Sequence, residues 1–158
     1  MSTRKSLLAL AIALLVVGLS ACGGDGAPNV NWDVEVTGAV TTPLTLSYQD
    51  LARREQVTLE DVVMRRSQGE DTTNSWEGPA LDAILADAGA AEGASAIVCM
   101  ASDGYAMEIP MADLGDAIIA LKQDGEWITE EGGTIRMVVP GLPANSWISQ
   151  LTSIEVVE

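Results

Sequence analysis

Pro79-Ala80-Leu81-Asp82-Ala83-Ile84-Leu85-Ala86-Asp87-Ala88-Gly89, then after a short link Ala96-Ile97-Val98-Cys99-Met100-Ala101, is the stretch that decides the fold. Leu81, Ile84, Leu85 and Ala88 recur at helical spacing, so one face of a helix over Pro79–Ala88 is apolar. Pro79 suits the first turn and Gly89 the position just past the end. The run Ala96–Ala101 is continuously apolar and predicts a strand buried on both faces.

Further toward the N-terminus, Trp32, Val34 and Val36 alternate with polar residues, as do Leu44, Leu46 and Tyr48. Ser47–Glu55 reads as a short helix with Leu51 inward. A strand starting at Val57 and Leu59 changes parity at Glu60-Asp61, which predicts a β-bulge. Ser67–Ser75 is polar and reads as a loop. Toward the C-terminus, Tyr105–Met111 is extended and Ala112–Ala117 a short helix. Asp124-Gly125 between Ile118–Leu121 and Trp127-Ile128 is a strong hairpin signal. Thr134–Pro140 is a strand, Trp147–Leu151 a helical turn and Ile154–Val157 a final strand. The order β-β-α-β-α-β-β-α-β-β-β describes an α+β domain and not a βαβ repeat.

The chain has 158 residues, with 8 Lys+Arg against 23 Asp+Glu and no histidine. A Ser-His-Asp triad, a Cys-His dyad and a His-based zinc site are therefore excluded. The formal charge of −15 argues against nucleic-acid binding, which needs bases to neutralise phosphates.

Arg4 and Lys5 precede an unbroken apolar run, Leu7–Val17. That run is shorter than the about 20 residues a spanning helix needs and has the length of a secretory signal core. Leu19-Ser20-Ala21-Cys22 then resembles a bacterial lipoprotein signal. The expectation is a signal peptide over 1–21, lipid on Cys22, a tether over 22–30 and one domain over 31–158. The implied place is the extracytoplasmic face of the cell envelope, on the outer membrane if the source has one. Six bases would remain against 23 acids, so the surface repels anionic headgroups and the acyl chains are the anchor. With Cys22 acylated, Cys99 has no internal disulfide partner.

Several segments, in order, resemble the molybdopterin-binding domain of the sulfite-oxidase type. They are Trp32…Val36-Thr37-Gly38, Pro43-Leu44-Thr45-Leu46-Ser47-Tyr48 and Trp76-Glu77-Gly78-Pro79-Ala80-Leu81. Ser102-Asp103-Gly104-Tyr105, Gly132-Gly133-Thr134-Ile135-Arg136-Met137-Val138-Val139-Pro140-Gly141 and Trp147 follow. The resemblance implies a mixed β-sheet with short helices and a β-grasp-like part. It also implies a pocket around Asp103, Gly104 and Tyr105, with Asn145 and Ser146 where the family's late cofactor loop lies.

The family's metal-ligating cysteine is expected after Thr58-Leu59-Glu60, and Asp61 stands there. The family's Arg-Asn-His-type segment has no histidine here, and its Gly-Tyr-Lys-like loop is replaced by Leu142-Pro143-Ala144-Asn145-Ser146.

Each candidate has two readings. Asp103-Gly104-Tyr105 is a pocket element or a plain turn. Arg65 and Arg66 could meet an anion or end a strand. Arg136 could do the same or pair with a local carboxylate. Trp76 and Trp147 could line a cleft or fill a core. Cys99, in an apolar strand, reads as a small hydrophobe, and Asp61 as a solvated strand residue. No catalytic residue or metal ligand is assigned. The expected function is a small-ligand or protein binding module without cofactor. The alternative is a molybdopterin-dependent oxidoreductase or redox subunit with an altered site.

Overall fold

A computed structural model describes residues 26–158. The signal segment and Cys22 lie outside the described residues.

Strand β1 (Asp33–Gly38) lies second from one edge of a mixed five-stranded sheet. It pairs antiparallel with β2 (Leu44–Ser47) and parallel with the last strand, β11 (Leu151–Val157). Next to β11 come β5 (Ala96–Ala101) and β6 (Ala106–Pro110), both antiparallel, with Ile154 opposite Cys99 and Cys99 opposite Met107. The final strand therefore inserts beside the first, a pairing of long sequence separation.

Two helices cover the inner face. In α1 (Tyr48–Arg53), Ser47 and Asp50 form a reciprocal capping box that satisfies two free N–H groups. The Tyr48 hydroxyl is buried and donates toward the carbonyls of Ile128 at 3.0 Å and Leu121 at 3.3 Å. Helix α2 (Leu81–Ala88) buries Leu81, Ile84, Leu85 and Ala88, the expected stripe. Gly89 closes it at φ 65, a left-handed C-cap. Ala80 is its N-cap, so Pro79 precedes the first turn rather than opening it.

A second sheet holds β3 (Val57–Met64), β4 (Thr72–Gly78), β8 (Lys122–Gln123) and β9 (Glu126–Trp127) in that order. A two-stranded ladder joins β7 (Ile118–Ala120) to β10 (Arg136–Val138). At Gly78 an added Cβ would lie 2.0 Å from the Ile119 carbonyl oxygen, so only glycine lets β4 approach β7 this closely. The β3–β4 register shifts between Leu59 and Val62, and Asp61 has φ 52: the expected bulge is present. Asp124 and Gly125 both take positive φ in the β8–β9 hairpin, as a primed turn requires.

Several expectations are corrected. Thr72–Ser75 belongs to β4 and not to a loop, because its polar side chains still pair in register with β3. Strand β5 is buried on one face only: Ile97 and Cys99 point inward, while Met100 is 42% exposed. Ala112–Ala117 is not a helix, since a 3-10 turn spans only Met111–Asp113. The helical turn expected at Trp147–Leu151 lies earlier, as a 3-10 turn over Ala144–Ser146 that leads into extended chain. The stretch read as tether is partly docked: Ala27 packs on the core, Val30 is buried, and Gln49 donates to the Pro28 carbonyl at 2.6 Å.

Two hydrophobic cores result. The larger lies between the five-stranded sheet and the helices. The smaller holds Met64, Trp76, Ile118, Ala120, Ile128, Val138 and Trp147, between the second sheet and the β7–β10 ladder.

Candidate functional site

The smaller core and its rim gather most of the residues singled out from sequence. Trp76 on β4 is 2% exposed and meets Trp147 edge-on, with centroids 5.9 Å apart and planes at 78°. The Arg136 guanidinium, from β10, lies 5.4 Å over the Trp76 ring. It also reaches Met64 Sδ at 3.7 Å and Ser149 Oγ at 3.3 Å. A cation over an indole face is attracted by the ring quadrupole, by about 0.5–2 kcal/mol depending on desolvation.

The rim continues from Met64. The Arg65 carbonyl accepts from Ala144 N–H at 2.8 Å, fixing the 3-10 turn against the end of β3. On the far side of that turn, the Tyr105 hydroxyl donates to the Asn145 carbonyl at 3.0 Å. Tyr105 is itself held by a tight turn, in which Asp103 Oδ1 accepts from its N–H at 2.9 Å around Gly104. Ser146 is buried beneath the turn. Asp103, Gly104, Tyr105, Asn145, Ser146, Arg65, Trp76 and Arg136 thus form one continuous run of contacts, though they come from separate parts of the chain.

Arg136 departs from expectation. Its carboxylate partner is absent: among the described residues no acid lies within 4.0 Å of it. Burial, chiefly, and the nearby charge of Arg66 hold its pKa below the ordinary arginine value. Arginine side chains are effectively always protonated in proteins.

The other bases show how unusual this is. Arg53 pairs with Asp50 at 3.5 Å, Arg54 with Asp87, and Lys122 with Glu77 at 2.6 Å. Only Arg65, Arg66 and Arg136 lack a salt-bridged carboxylate among the described residues; Arg65 and Arg66 are exposed just past β3, and Arg136, from β10, reaches Met64 at the end of β3. Sequence reasoning weighed Arg66 together with Arg65 as an anion contact. It missed Thr72, whose hydroxyl is buried without a hydrogen-bond partner among the described residues, as is the Trp76 indole N–H.

Asp61 is exposed at the bulge and joins none of the ion pairs among the described residues. Cys99 is fully buried in β5, in the other core, and burial pushes its thiol up to about 12. Neither residue therefore offers a thiolate at the bulge. Among the described residues, no group of three or more His, Cys, Asp or Glu side chains could hold a metal ion. The donor set at this place does not fit a thiolate-held metal.

The sequence profile of the oxidoreductase molybdopterin binding domain family matches residues 25–158. The chain belongs to that family. Among curated relatives of this molybdopterin-domain chain, the NADH nitrate reductase of Volvox carteri is 28% identical over 171 residues, covering 82% of this chain and 20% of that protein. An uncharacterized oxidoreductase of Bacillus subtilis, YuiH, is 26% identical over 114 residues, covering 70% and 58%. The chain spans only 20% and 58% of the lengths of these relatives. Among solved structures, the sulfane dehydrogenase SoxCD of Paracoccus pantotrophus superposes with a TM-score of 0.74 at 21% identity, over 84% of this chain and 40% of that one. That likeness establishes the sulfite-oxidase-type molybdopterin-domain fold, mixed sheets with few short helices.

Proposed function

We propose that this chain is an extracytoplasmic lipoprotein, held to the membrane by lipid on Cys22, whose molybdopterin-type domain binds a small ligand or a protein without a thiolate-held molybdenum. The observation that carries this reading is Asp61 at the bulge where the family resemblance expects cysteine. A hard carboxylate oxygen does not replace a soft thiolate in ligating such a metal. The remaining cysteine sits in the other core, and the late loop offers buried Ser146 in place of a cation. The partners are then the membrane, through the lipid, and a solute or protein at the rim described above. Nucleic acid is not among them.

A second reading is favoured by the family match over residues 25–158: a molybdopterin-dependent oxidoreductase or redox subunit with an altered site. Metal and pterin analysis of the full chain, purified with its anchor intact, separates the two. Well under one molybdenum per chain, with a melting temperature independent of pterin supply, supports the binding module. Stoichiometric molybdenum with pterin absorbance establishes the oxidoreductase. For the anchor, Cys22→Ser should release the domain from membranes or leave it unprocessed. Unchanged retention and a normal mature mass would contradict lipidation.

A further inference from the structure

We infer that the groove around the start of α2 docks an extended segment of a protein partner, with apolar residues flanked by Lys or Arg. The groove shares no lining residue with the rim described above. The inference holds whether or not the domain carries molybdenum.

The first argument is shape. Three adjacent cavities make the groove. One, of about 190 Å³, is lined in part by Val57, Ala80 and Ala83. A second, of about 140 Å³, shares Val57 and Ala80 with it. The third, of about 230 Å³, shares Asp82, Gly115 and Ala117 with the second and has buried Leu85 and Leu114 in its wall. A drug-sized molecule takes a single site of about 300–1,000 Å³. A row of smaller, mostly apolar cavities instead suits successive side chains of an extended segment. The wall is set in advance: the Leu81 N–H donates to the Ala117 carbonyl at 2.9 Å, and the Ala117 N–H to the Leu114 carbonyl at 3.0 Å. A partner therefore does not bear the cost of ordering it.

The second argument is charge. Arg54 is the one base among these lining residues, and Asp87 takes its charge. Glu55, Asp82 and Asp116 also line the cavities, are exposed, and join none of the ion pairs among the described residues. Asp82 Oδ1 accepts the Ala83 N–H at 2.7 Å, so the positive end of α2 already has its anion. An anionic ligand would meet three carboxylates, and a cationic segment is attracted by them. A second copy of the chain, with a formal charge of −15, would set acid against acid. Charge complementarity at the rim speeds encounter and selects the partner, while the apolar floor supplies burial.

The test mixes the full chain with short fluorescein-labelled peptides, capped at both ends, in separate pools. One pool has Lys or Arg flanking Leu, Ile and Val; one has Lys or Arg flanking Ser and Gly; one has Glu flanking Leu, Ile and Val. Anisotropy gives the affinity for wild type, the double variant Asp82→Asn with Asp116→Asn, Ala83→Arg and the control Glu108→Gln, which removes an exposed acid on β6. Asp82→Asn keeps a side-chain oxygen for the Ala83 N–H, and Ala83 is exposed on the helix, where arginine is well tolerated. Melting temperatures verify that each variant is folded. The basic–apolar pool should bind best, and more weakly as salt rises. The double variant should lose about fivefold in affinity. Ala83→Arg fills the first cavity and adds a charge of the partner's sign, and should lose about tenfold or more. Glu108→Gln should bind as wild type. Equal binding of the basic–polar pool, a preference for the acidic pool, an equal loss in Glu108→Gln, or no binding by any pool would overturn the assignment. So would a dimer in sedimentation that Ala83→Arg dissolves, since the groove would then belong to a second copy.

Discussion

The two cores of this domain are built to different standards. In the larger, the buried Tyr48 hydroxyl finds two carbonyls and Trp32 Nε1 donates to the Leu151 carbonyl at 2.7 Å, while at its margin Gln56 donates to the Leu51 carbonyl and leaves only its Oε1 without a partner among the described residues. In the smaller, two buried donors have no partner and a guanidinium without a carboxylate lies over an indole. Buried polar groups in native proteins are nearly always paired, and exceptions call for a reason beyond folding. The contrast fits a first core that carries stability and, on the reading proposed above, a second whose rim meets a ligand.

The largest effect that would sharpen this contrast is expected in the larger core. Ile97 is fully buried on β5, and Ile97→Ala removes most of its side chain where the sheet meets the helices. Urea unfolding should show a loss of about 2–5 kcal/mol. A loss below ~1 kcal/mol would mean that this core does not dominate stability.

Next comes alkaline pH. Burial raises Cys99 from 9.0 and Tyr48 from 10.0, each to about 12, so both stay protonated in the folded chain while the unfolded chain ionises. The folded state then binds more protons, and stability falls as pH rises from about 9 toward 12. The slope should lessen in Cys99→Ala and also in Tyr48→Phe. Flat stability up to pH 11 would contradict the burial of these groups.

A smaller effect is expected at the rim. Tyr105 is 44% exposed, and among the described residues its hydroxyl bonds only to the Asn145 carbonyl. Tyr105→Phe should lower stability by less than ~1.5 kcal/mol. It should also loosen the Ala144–Ser146 turn, read as faster amide exchange there. Unchanged exchange would detach Tyr105 from the site.

Much of the fold was legible because periodicity and turn chemistry report burial and chain reversal. The Leu81–Ile84–Leu85–Ala88 stripe, the parity change at Asp61 and the Asp124-Gly125 turn each carry a local physical signature, and each is found where it was expected. Thr72–Ser75 was misread because its strand is polar on both faces and is held by pairing with β3, not by an apolar pattern. Strand β5 was read as doubly buried because Val98 and Met100 are apolar yet face outward. For the site, residue types nominated Arg136, Tyr105 and Asn145, but their meeting depends on pairings far apart in sequence. That Arg136 lacks an acid could not be read in a chain so rich in acids. Thr72 had no local signal at all.

The central claim is that Arg136 is kept for a ligand and not for the fold. The most direct measurement is the unfolding free energy of Arg136→Met in chloride buffer without carboxylates. Methionine keeps an unbranched apolar stem over Trp76 and removes a buried charge that has no carboxylate partner among the described residues. Stability is predicted to stay equal or to rise, by up to about 2 kcal/mol, because an uncompensated charge no longer needs burying. A loss of more than about 2 kcal/mol would show that the guanidinium is a structural element of the smaller core, and would contradict the account.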